Sequence, residues 1–343
     1  MRQKSTTDHA PAPLTGIDLL LADLDGVVYA GPDAIPYAVE SINAVQRNIR
    51  VGYLTNNASR TDAAVAAHLT GLGLHVEPAD VVTSPQAAMV VLAGLVPAGS
   101  TILVVGGEGL THELEKAGFR VTRSAEDSPA AVVQGFAPEV GWLQLAEAAF
   151  ALKAAPGSEG IPWVATNTDW TIPQARGTAP GNGTLVSAVH TAVGRLPVVA
   201  GKPERAIFDA AVARFGAQHP LFLGDRLDTD ILGANRAGMP SALVLTGIDG
   251  PKQVLAADAD SRPTFVLEDL RELDAPYAAP SETTDRRGRL FTAGASSVRL
   301  AGNVVRVEKA GDRAVELLRA GAAAIWGAGV PIYALAVDPG LYS

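Results

Sequence analysis

Short apolar runs of strand length alternate with helix-patterned segments along most of this chain. The first run, IDLLLADLD, is continuously apolar before its acids, which is typical of a parallel strand covered on both faces. PYAVESINAVQRN then favours a helix, IRVGYLTNN a second strand and RTDAAVAAHLTGLG a second helix. This order predicts an α/β protein with an open, doubly wound parallel sheet, whose ligand site lies at the carboxyl ends of the strands.

The alternation starts again after residue 96 and returns near residue 197, which predicts a second α/β unit inserted into the first. The final segment alternates in SSVRLAGNVVRVE, with Gly302-Asn303 as a hairpin turn, before a helix and a strand. The predicted divisions, in chain order, are a disordered leader (1–13), the first part of the core (14–96), an inserted α/β cap (97–196), the second part of the core (197–275), a linker (276–291) and a small β-β-α-β appendage (292–343).

Composition excludes several classes of function. The net charge of −9 and the lack of a basic run argue against a nucleic-acid partner. Without cysteine, the chain can form neither a disulfide nor a thiolate metal site, and it cannot use a cysteine nucleophile. Because the sequence shows neither a signal peptide nor an apolar run that could span a bilayer, we expect a cytoplasmic protein without a membrane partner.

Two carboxylates, Asp23 and Asp25, follow the first apolar run directly. Side chains two residues apart on a strand share one face, so these acids would project together into the predicted ligand crevice. Carboxylates that close repel one another unless a cation or a proton lies between them. The pair therefore fits a Mg²⁺ site, an acid/base site with a shared proton, or both, whereas a solvated strand-to-turn exit is the non-functional alternative.

Other strand ends carry polar residues that complete such a site. The segment LGDRLDTD places Asp225 after an apolar run, where it could be a second carboxylate ligand of a hard cation beside Asp23. Asp230 follows near the start of a helix, where it could support the ligands. YLTNN places Thr55 and Asn56 at a helix entrance, which is suited to phosphate oxygens. In VVAGKPER, Lys202 lies between a strand and a helix, where its ammonium could balance the acids and a phosphate.

The order of DLDGV, TNN, GKP and GDRLDTD resembles the haloacid dehalogenase-like phosphatases. Within them, the chain is similar to the NagD-like and phosphoglycolate phosphatase type with an α/β cap between the second and third motifs. The resemblance covers roughly residues 14–275, and the four motifs together are far more specific than any one alone. It extends to the cap, where TNTDWTIPQARGTAPGNGTLVSAV is similar to the subfamily's substrate loop.

The resemblance implies Mg²⁺-dependent hydrolysis of a small phosphate monoester through an aspartyl-phosphate, with glycerol 3-phosphate as the preferred substrate. It assigns Asp23 as nucleophile and Asp25 as acid/base. The other implied roles fall into four groups: phosphate binding by Thr55, Asn56 and Lys202; Mg²⁺ binding by Asp23, Asp225 and the backbone carbonyl of Asp25; support of Lys202 or metal-bound water by Asp230; and substrate contact by Asn57, Asp169 and Arg176.

Alternatives stay open at this point. The substrate could instead be 2-phosphoglycolate, pyridoxal phosphate, or a nucleoside or sugar monophosphate, and a phosphotransferase would use the same acids. A phosphate-binding module without turnover is a further hypothesis, as is a homodimer formed through exposed cap surfaces or the tail. Gly106 to Gly109, GGEG, lacks the G-x-G-x-x-G spacing of a dinucleotide site, which argues against an oxidoreductase.

Overall fold

A computed structural model describes residues 11–154, 160–174 and 176–342 of the chain. The predicted disordered leader lies outside the described residues up to residue 10. Within them, the strands in chain order are β1 (Leu19–Ala22), β2 (Tyr29–Ala30), β3 (Asp33–Ala34), β4 (Arg50–Thr55), β5 (Val81–Thr83), β6 (Thr101–Val105), β7 (Arg120–Thr122), β8 (Ala131–Gln134), β9 (Trp163–Ala165), β10 (Thr171–Gln174), β11 (Gly177–Pro180), β12 (Val198–Val199), β13 (Pro220–Gly224), β14 (Ser241–Val244), β15 (Phe265–Leu267), β16 (Ser281–Asp285), β17 (Gly288–Ala293), β18 (Ser296–Ala301), β19 (Val304–Lys309) and β20 (Ala336–Val337). The helices are α1 (Ala38–Val45), α2 (Asp62–Gly71), α3 (Ser84–Ala93), α4 (Glu108–Lys116), α5 (Trp142–Leu152), α6 (Asn182–Val193), α7 (Arg205–Phe215), α8 (Leu232–Arg236), α9 (Pro251–Ala256) and α10 (Ala314–Trp326).

The core sheet is parallel and doubly wound, as the sequence predicts. Its strand order is β15-β14-β13-β1-β4-β5, so β1 lies at the centre between β13 and β4. Successive residues of β1 face opposite sides: Leu20 packs into one hydrophobic cluster, and Leu19 and Leu21 pack into another. This two-sided burial explains why the first strand is a continuous apolar run.

The inserted unit is a second parallel sheet, with the order β12-β9-β8-β6-β7. Helix α3 lies between this sheet and the core sheet, because Leu92 of α3 shares one buried cluster with Leu21 of the core and Val133 of the cap. The cap boundary predicted after residue 196 is too early. Val198 and Val199 form β12, which pairs with β9 of the cap sheet rather than with the core.

The C-terminal unit is larger than predicted. Strands β16 to β19 form an antiparallel sheet, β20 adds in parallel beside β19, and α10 packs on β17 and β18. The predicted linker at 276–291 is wrong, because it contains β16 and the start of β17. All five residues of β16 are exposed, so that edge strand has no apolar alternation by which it could be recognised. The predicted Gly302-Asn303 turn is confirmed between β18 and β19.

Buried and partly buried polar contacts join this unit to the core. Arg319 of α10 donates from Nε to the carbonyl of Val266 at 2.8 Å and from a terminal nitrogen to Glu272 at 2.9 Å. The indole of Trp326 donates to the carbonyl of Val254 at 3.2 Å. None of the helices in the described part of the chain is both long and apolar enough to cross a membrane.

Candidate active site

The predicted site residues collect at the carboxyl ends of neighbouring core strands. Asp23 follows β1, Thr55 ends β4 and Asp225 follows β13, and these three strands are adjacent in the sheet. Lys202 follows β12, at the point where the chain returns from the cap to the core. The chain therefore brings the four predicted motifs to one edge of the sheet, where open α/β proteins bind their ligands.

Lys202 forms the centre of a buried charge cluster. Its Nζ lies 2.7 Å from Oδ1 of Asp23 and 2.7 Å from Oδ1 of Asp230. The lysine side chain is 4% exposed, and Asp230 is completely buried. Burial alone would lower the pKa of the Lys202 ammonium, but the charges of Asp23 and Asp230 outweigh it and raise that pKa. Lys202 is therefore held as a permanent cation beside Asp23.

Asp230 and Asp225 use their oxygens differently. Oδ1 of Asp230 accepts from Lys202, and its Oδ2 accepts from the backbone N–H groups of Asp225 and Arg226 at 3.1 and 3.2 Å. Asp230 is thus occupied by protein donors on both oxygens. Asp225 accepts only on Oδ2, from the backbone of Ile248 at 2.8 Å, and within the described residues its Oδ1 has no hydrogen bond.

The acids outnumber the cations in this cluster. Carboxylate oxygens of Asp23, Asp225 and Asp230 can lie within 4.8 Å of one another, and all three residues are buried. Burial first, and the neighbouring acids second, raise the pKa of Asp23 well above its usual range and the pKa of Asp225 to about 7. A divalent cation beside Asp23 and Asp225 would relieve this repulsion, so the donor set fits a hard cation with oxygen ligands.

Two glycines leave room for Asp225. A Cβ on Gly26, where φ is +83°, would come within 2.2 Å of Oδ2 of Asp225, and a Cβ on Gly247 within 2.0 Å of the same atom. Gly26 directly follows Asp25, so it lets the chain turn away from β1 and also admits the carboxylate of the neighbouring strand.

Asp25 lies beside the buried cluster and is itself exposed. Its Oδ2 accepts a long hydrogen bond of 3.4 Å from the hydroxyl of Tyr29. Partial desolvation of the carboxyl raises the pKa of Asp25, while the charge of Lys202 and the bond from Tyr29 oppose that rise. A solvent-accessible carboxyl with a raised pKa is suited to giving and taking a proton.

The residues of the TNN motif have separate contacts. Oγ1 of Thr55 accepts from the backbone N–H of Asn57 at 3.0 Å, and its own hydrogen has no acceptor among the described residues, so it is available to donate. The side chain of Asn56 accepts from the backbone N–H of Lys202 at 2.8 Å and donates to the Lys202 carbonyl at 3.1 Å. Asn57 accepts from Ser59 and Arg60 and so organises its own loop. The Oδ1 atom of Asn57 is thus engaged within the loop, and a contact of Asn57 with substrate stays a prediction.

Of the two predicted cap residues, the structure brings one to the site. Both oxygens of Asp169 accept from Nδ2 of Asn56, at 3.1 and 3.3 Å, so this cap residue lies directly over the core motifs. Burial raises the pKa of Asp169. Arg176 instead lies exposed where β10 turns into β11, and within the described residues it makes no hydrogen bond or ion pair to the site.

Sequence reasoning missed three residues around this site. Tyr29 contacts Asp25, Asn167 donates from Nδ2 to the carbonyl of Asn56 at 2.7 Å, and Ser84 donates to the same carbonyl at 2.8 Å. Asn167 carries the signal that identified Thr55 and Asn56, since it follows the apolar strand end WVAT in the cap. Tyr29 and Ser84 reach the site through the fold and have no comparable signal.

Two family models and several known proteins match this sequence. Residues 20–120 match the model of the haloacid dehalogenase-like hydrolases, and residues 199–273 match a second model described as HAD-hydrolase-like. The D-glycerol 3-phosphate phosphatase of Mycobacterium tuberculosis is 44% identical over 315 residues, which are 90% of this chain and 86% of the relative. The glycerol-3-phosphate phosphatase of Gallus gallus is 35% identical, over 72% of this chain and 85% of its own length.

The fold is also similar to a solved structure along most of its length. The crystal structure of a glycerol phosphate phosphatase from Mycobacterium tuberculosis in complex with magnesium superposes with a TM-score of 0.84 at 40% sequence identity. The match covers 96% of this chain and 95% of that one, so it includes the C-terminal unit as well as core and cap. Taken with the two family matches and the curated relatives, these likenesses show that the chain belongs to the haloacid dehalogenase-like hydrolases.

Proposed function

We propose that this chain is a Mg²⁺-dependent phosphatase that hydrolyses glycerol 3-phosphate to glycerol and phosphate. The observation that carries the proposal is the placement of Asp23, a buried carboxylate, against the ammonium of Lys202 at the carboxyl ends of the core strands. The names of the similar proteins support glycerol 3-phosphate as the substrate. The position of Asp169 over the site supports a cap that encloses a small leaving group.

In the first step, the free carboxylate oxygen of Asp23 attacks phosphorus, and the bond from phosphorus to the glycerol oxygen breaks. Asp25 donates its proton to the departing alkoxide, which is too basic to leave unprotonated. In the second step, Asp25 takes a proton from water as the water attacks the phosphorus of the aspartyl-phosphate. The acyl-phosphate bond then breaks, releasing phosphate and restoring both carboxyl groups.

Positively charged and hydrogen-bonding groups supply most of the catalysis in phosphoryl transfer. Two of the three ammonium hydrogens of Lys202 face Asp23 and Asp230, so the third can point to a phosphate oxygen. The hydroxyl of Thr55 is free to donate to another. Since the Asn56 amide is already engaged with Lys202 and Asp169, we propose that its side chain holds the lysine rather than the phosphate.

Asp23, Asp225 and the backbone carbonyl of Asp25 would hold Mg²⁺, which neutralises negative charge on the phosphate and the attacking carboxylate. Oδ1 of Asp225, without a hydrogen bond inside the described residues, is the oxygen that this role needs. Asp230 keeps Lys202 and the loop after Asp225 in place, because both of its oxygens accept from the protein.

Phosphate release from glycerol 3-phosphate tests this function directly. We expect turnover with Mg²⁺ and loss of turnover with a chelator, restored when Mg²⁺ is added back. Phosphate binding without release would favour a binding module, and transfer to an added alcohol instead of water would favour a phosphotransferase.

The predicted homodimer and the cytoplasmic location stay predictions. Light scattering of the full chain tests whether it forms a homodimer.

Mg²⁺ affinity is expected to rise with pH. Burial and the charge of Asp230 raise the pKa of Asp225 to about 7, so below that pH the metal must displace a proton. The release of one proton changes the affinity by about tenfold per pH unit below the pKa. Calorimetric titration with Mg²⁺ should show tighter binding at about pH 8 than at about pH 6, with more protons released at the lower pH. Equal Mg²⁺ affinities at the two pH values, with no proton released at either, would contradict this prediction.

A further inference from the structure

The backbone carbonyl of Asn56 is a point where core and cap meet. It accepts a hydrogen bond of 2.8 Å from the hydroxyl of Ser84, a core residue at the start of α3. It also accepts one of 2.7 Å from Nδ2 of Asn167, which follows β9 in the cap. One carbonyl oxygen thus accepts two hydrogen bonds of similar length, and only one of the two donors belongs to the cap.

The side chain of Asn56 forms hydrogen bonds to the backbone of Lys202. Its Oδ1 accepts from the Lys202 backbone N–H at 2.8 Å, and its Nδ2 donates to the Lys202 carbonyl at 3.1 Å. Both backbone polar groups of the lysine are therefore held by one amide. The lysine side chain continues from this fixed backbone to Asp23.

Asn167 is in turn anchored within the cap. Its residue is 4% exposed, and its own carbonyl accepts from Nδ2 of Asn182, the first residue of α6, at 2.7 Å. Its Oδ1 accepts from the backbone N–H of Asp169 at 3.2 Å. The amide that reaches into the core is thus fixed by a cap helix and by the loop that carries Asp169.

The backbones at this contact lie too close for an additional side chain. A Cβ on Gly201 would come within 2.4 Å of the carbonyl oxygen of Thr166 and within 2.6 Å of Oδ1 of Asn56. The residue before Lys202 therefore packs directly against the end of the cap strand. The contacts of Asn56 and Asn167 therefore lie where the backbones of core and cap are closely packed.

We propose that Asn167 is a positioning residue, which holds Lys202 in place through Asn56. The phosphate-binding lysine is then correctly placed only when the cap is packed against the core. The proposal rests on the proposed function and deepens it, because it concerns how the same phosphoryl site is assembled. Within the described residues, Asn167 makes no hydrogen bond to Asp23 or to the lysine. By positioning Lys202, Asn167 stabilises the transition state, in which the lysine neutralises charge on the phosphoryl group.

The test compares Asn167→Ala with Ser84→Ala, since each variant removes one of the two donors to the same carbonyl. Steady-state rates are measured with two esters, glycerol 3-phosphate and p-nitrophenyl phosphate. Their leaving groups differ, since one is an alkoxide and the other a phenolate. For Asn167→Ala we expect kcat to fall on the order of tenfold to a hundredfold with both esters, in the same proportion, while KM changes by less than about threefold. For Ser84→Ala we expect kcat to fall by less than about threefold.

Two further measurements separate positioning from loss of structure. Asn167→Asp has the same shape and can still accept from Asp169, but it loses the donor to Asn56; it should reproduce the loss of kcat. Mg²⁺ affinity should be unchanged in Asn167→Ala, because that variant neither alters nor adds a carboxylate near the metal site. Thermal unfolding of each variant tests whether the fold is retained.

Three results would overturn the proposal: equal losses in the Ser84 and Asn167 variants, an unchanged kcat in both Asn167 variants, or a loss confined to glycerol 3-phosphate. The last would mean that Asn167 acts on the leaving group. A parent chain that cleaves p-nitrophenyl phosphate but not glycerol 3-phosphate would overturn the proposed substrate instead. It would leave the Asn167 comparison intact, because both esters use the same phosphoryl site.

Discussion

Asp23→Asn is expected to lower kcat for glycerol 3-phosphate on the order of 10⁴-fold while leaving the protein folded. The amide has nearly the shape of the carboxylate but is a far weaker nucleophile, so the aspartyl-phosphate cannot form at a useful rate. Because burial and the neighbouring acids raise the pKa of Asp23, its ionised form is unfavourable in the metal-free fold. The variant should therefore melt at the same temperature as the parent, or higher, in the presence of a chelator.

The matched control is Asp228→Asn, which removes a nearby carboxylate whose side chain is 66% exposed and pairs with Arg226. We expect its kcat to stay within about threefold of the parent, as for an exposed ion pair. Parental activity in Asp23→Asn would rule out Asp23 as the nucleophile. A melting temperature many degrees below that of the parent would show that the loss of activity reflects unfolding.

Lys202→Met is expected to have the largest effect on stability. It leaves the buried carboxylates of Asp23 and Asp230, each 2.7 Å from the lost ammonium, without their cation. Breaking a buried pair from one side lowers the free energy of unfolding by about 3–5 kcal/mol. Denaturant unfolding of the metal-free protein measures this loss, which should increase with pH because burial raises the pKa of Asp23 and its ionisation is then unfavourable without the lysine.

Two comparisons test the cause of that loss. Lys116→Met removes a lysine that also has two acidic partners, Asp62 and Glu113, but whose side chain is 56% exposed; we expect a change within about 1 kcal/mol. The double variant Lys202→Met/Asp230→Asn removes one stranded acid and should recover part of the stability. Equal losses in the Lys202 and Lys116 variants would contradict the account of a buried charge cluster.

The core sheet could be predicted from the sequence because its strands are buried on both faces. Continuous apolar runs such as β1 have few alternative structures when helices flank them, and the restart of the pattern predicts the inserted sheet. The two errors occur where this signal is absent. Strand β12 was recognised as a short apolar strand, but its two residues do not indicate which sheet they join. Strand β16 is exposed along its whole length, so it contributes no hydrophobic pattern.

The site was predictable to the extent that its residues follow apolar strands. Asp23, Thr55 and Asp225 meet because neighbouring parallel strands end at one edge, and the motifs supplied their identities. What each side chain binds could not be predicted, because it depends on the packing of distant segments. Asn56 was expected to hold phosphate, yet its amide is engaged by Lys202, which lies beyond the whole cap in sequence.

The specificity constant kcat/KM for a panel of phosphate monoesters tests the central claim most directly, because it measures discrimination between transition states. The panel comprises glycerol 3-phosphate, 2-phosphoglycolate, pyridoxal phosphate, a sugar phosphate and a nucleoside monophosphate, all with Mg²⁺. We predict that glycerol 3-phosphate ranks first, by at least about tenfold. A flat ranking, or a higher value for any other ester, would contradict the assignment of this chain as a glycerol 3-phosphate phosphatase.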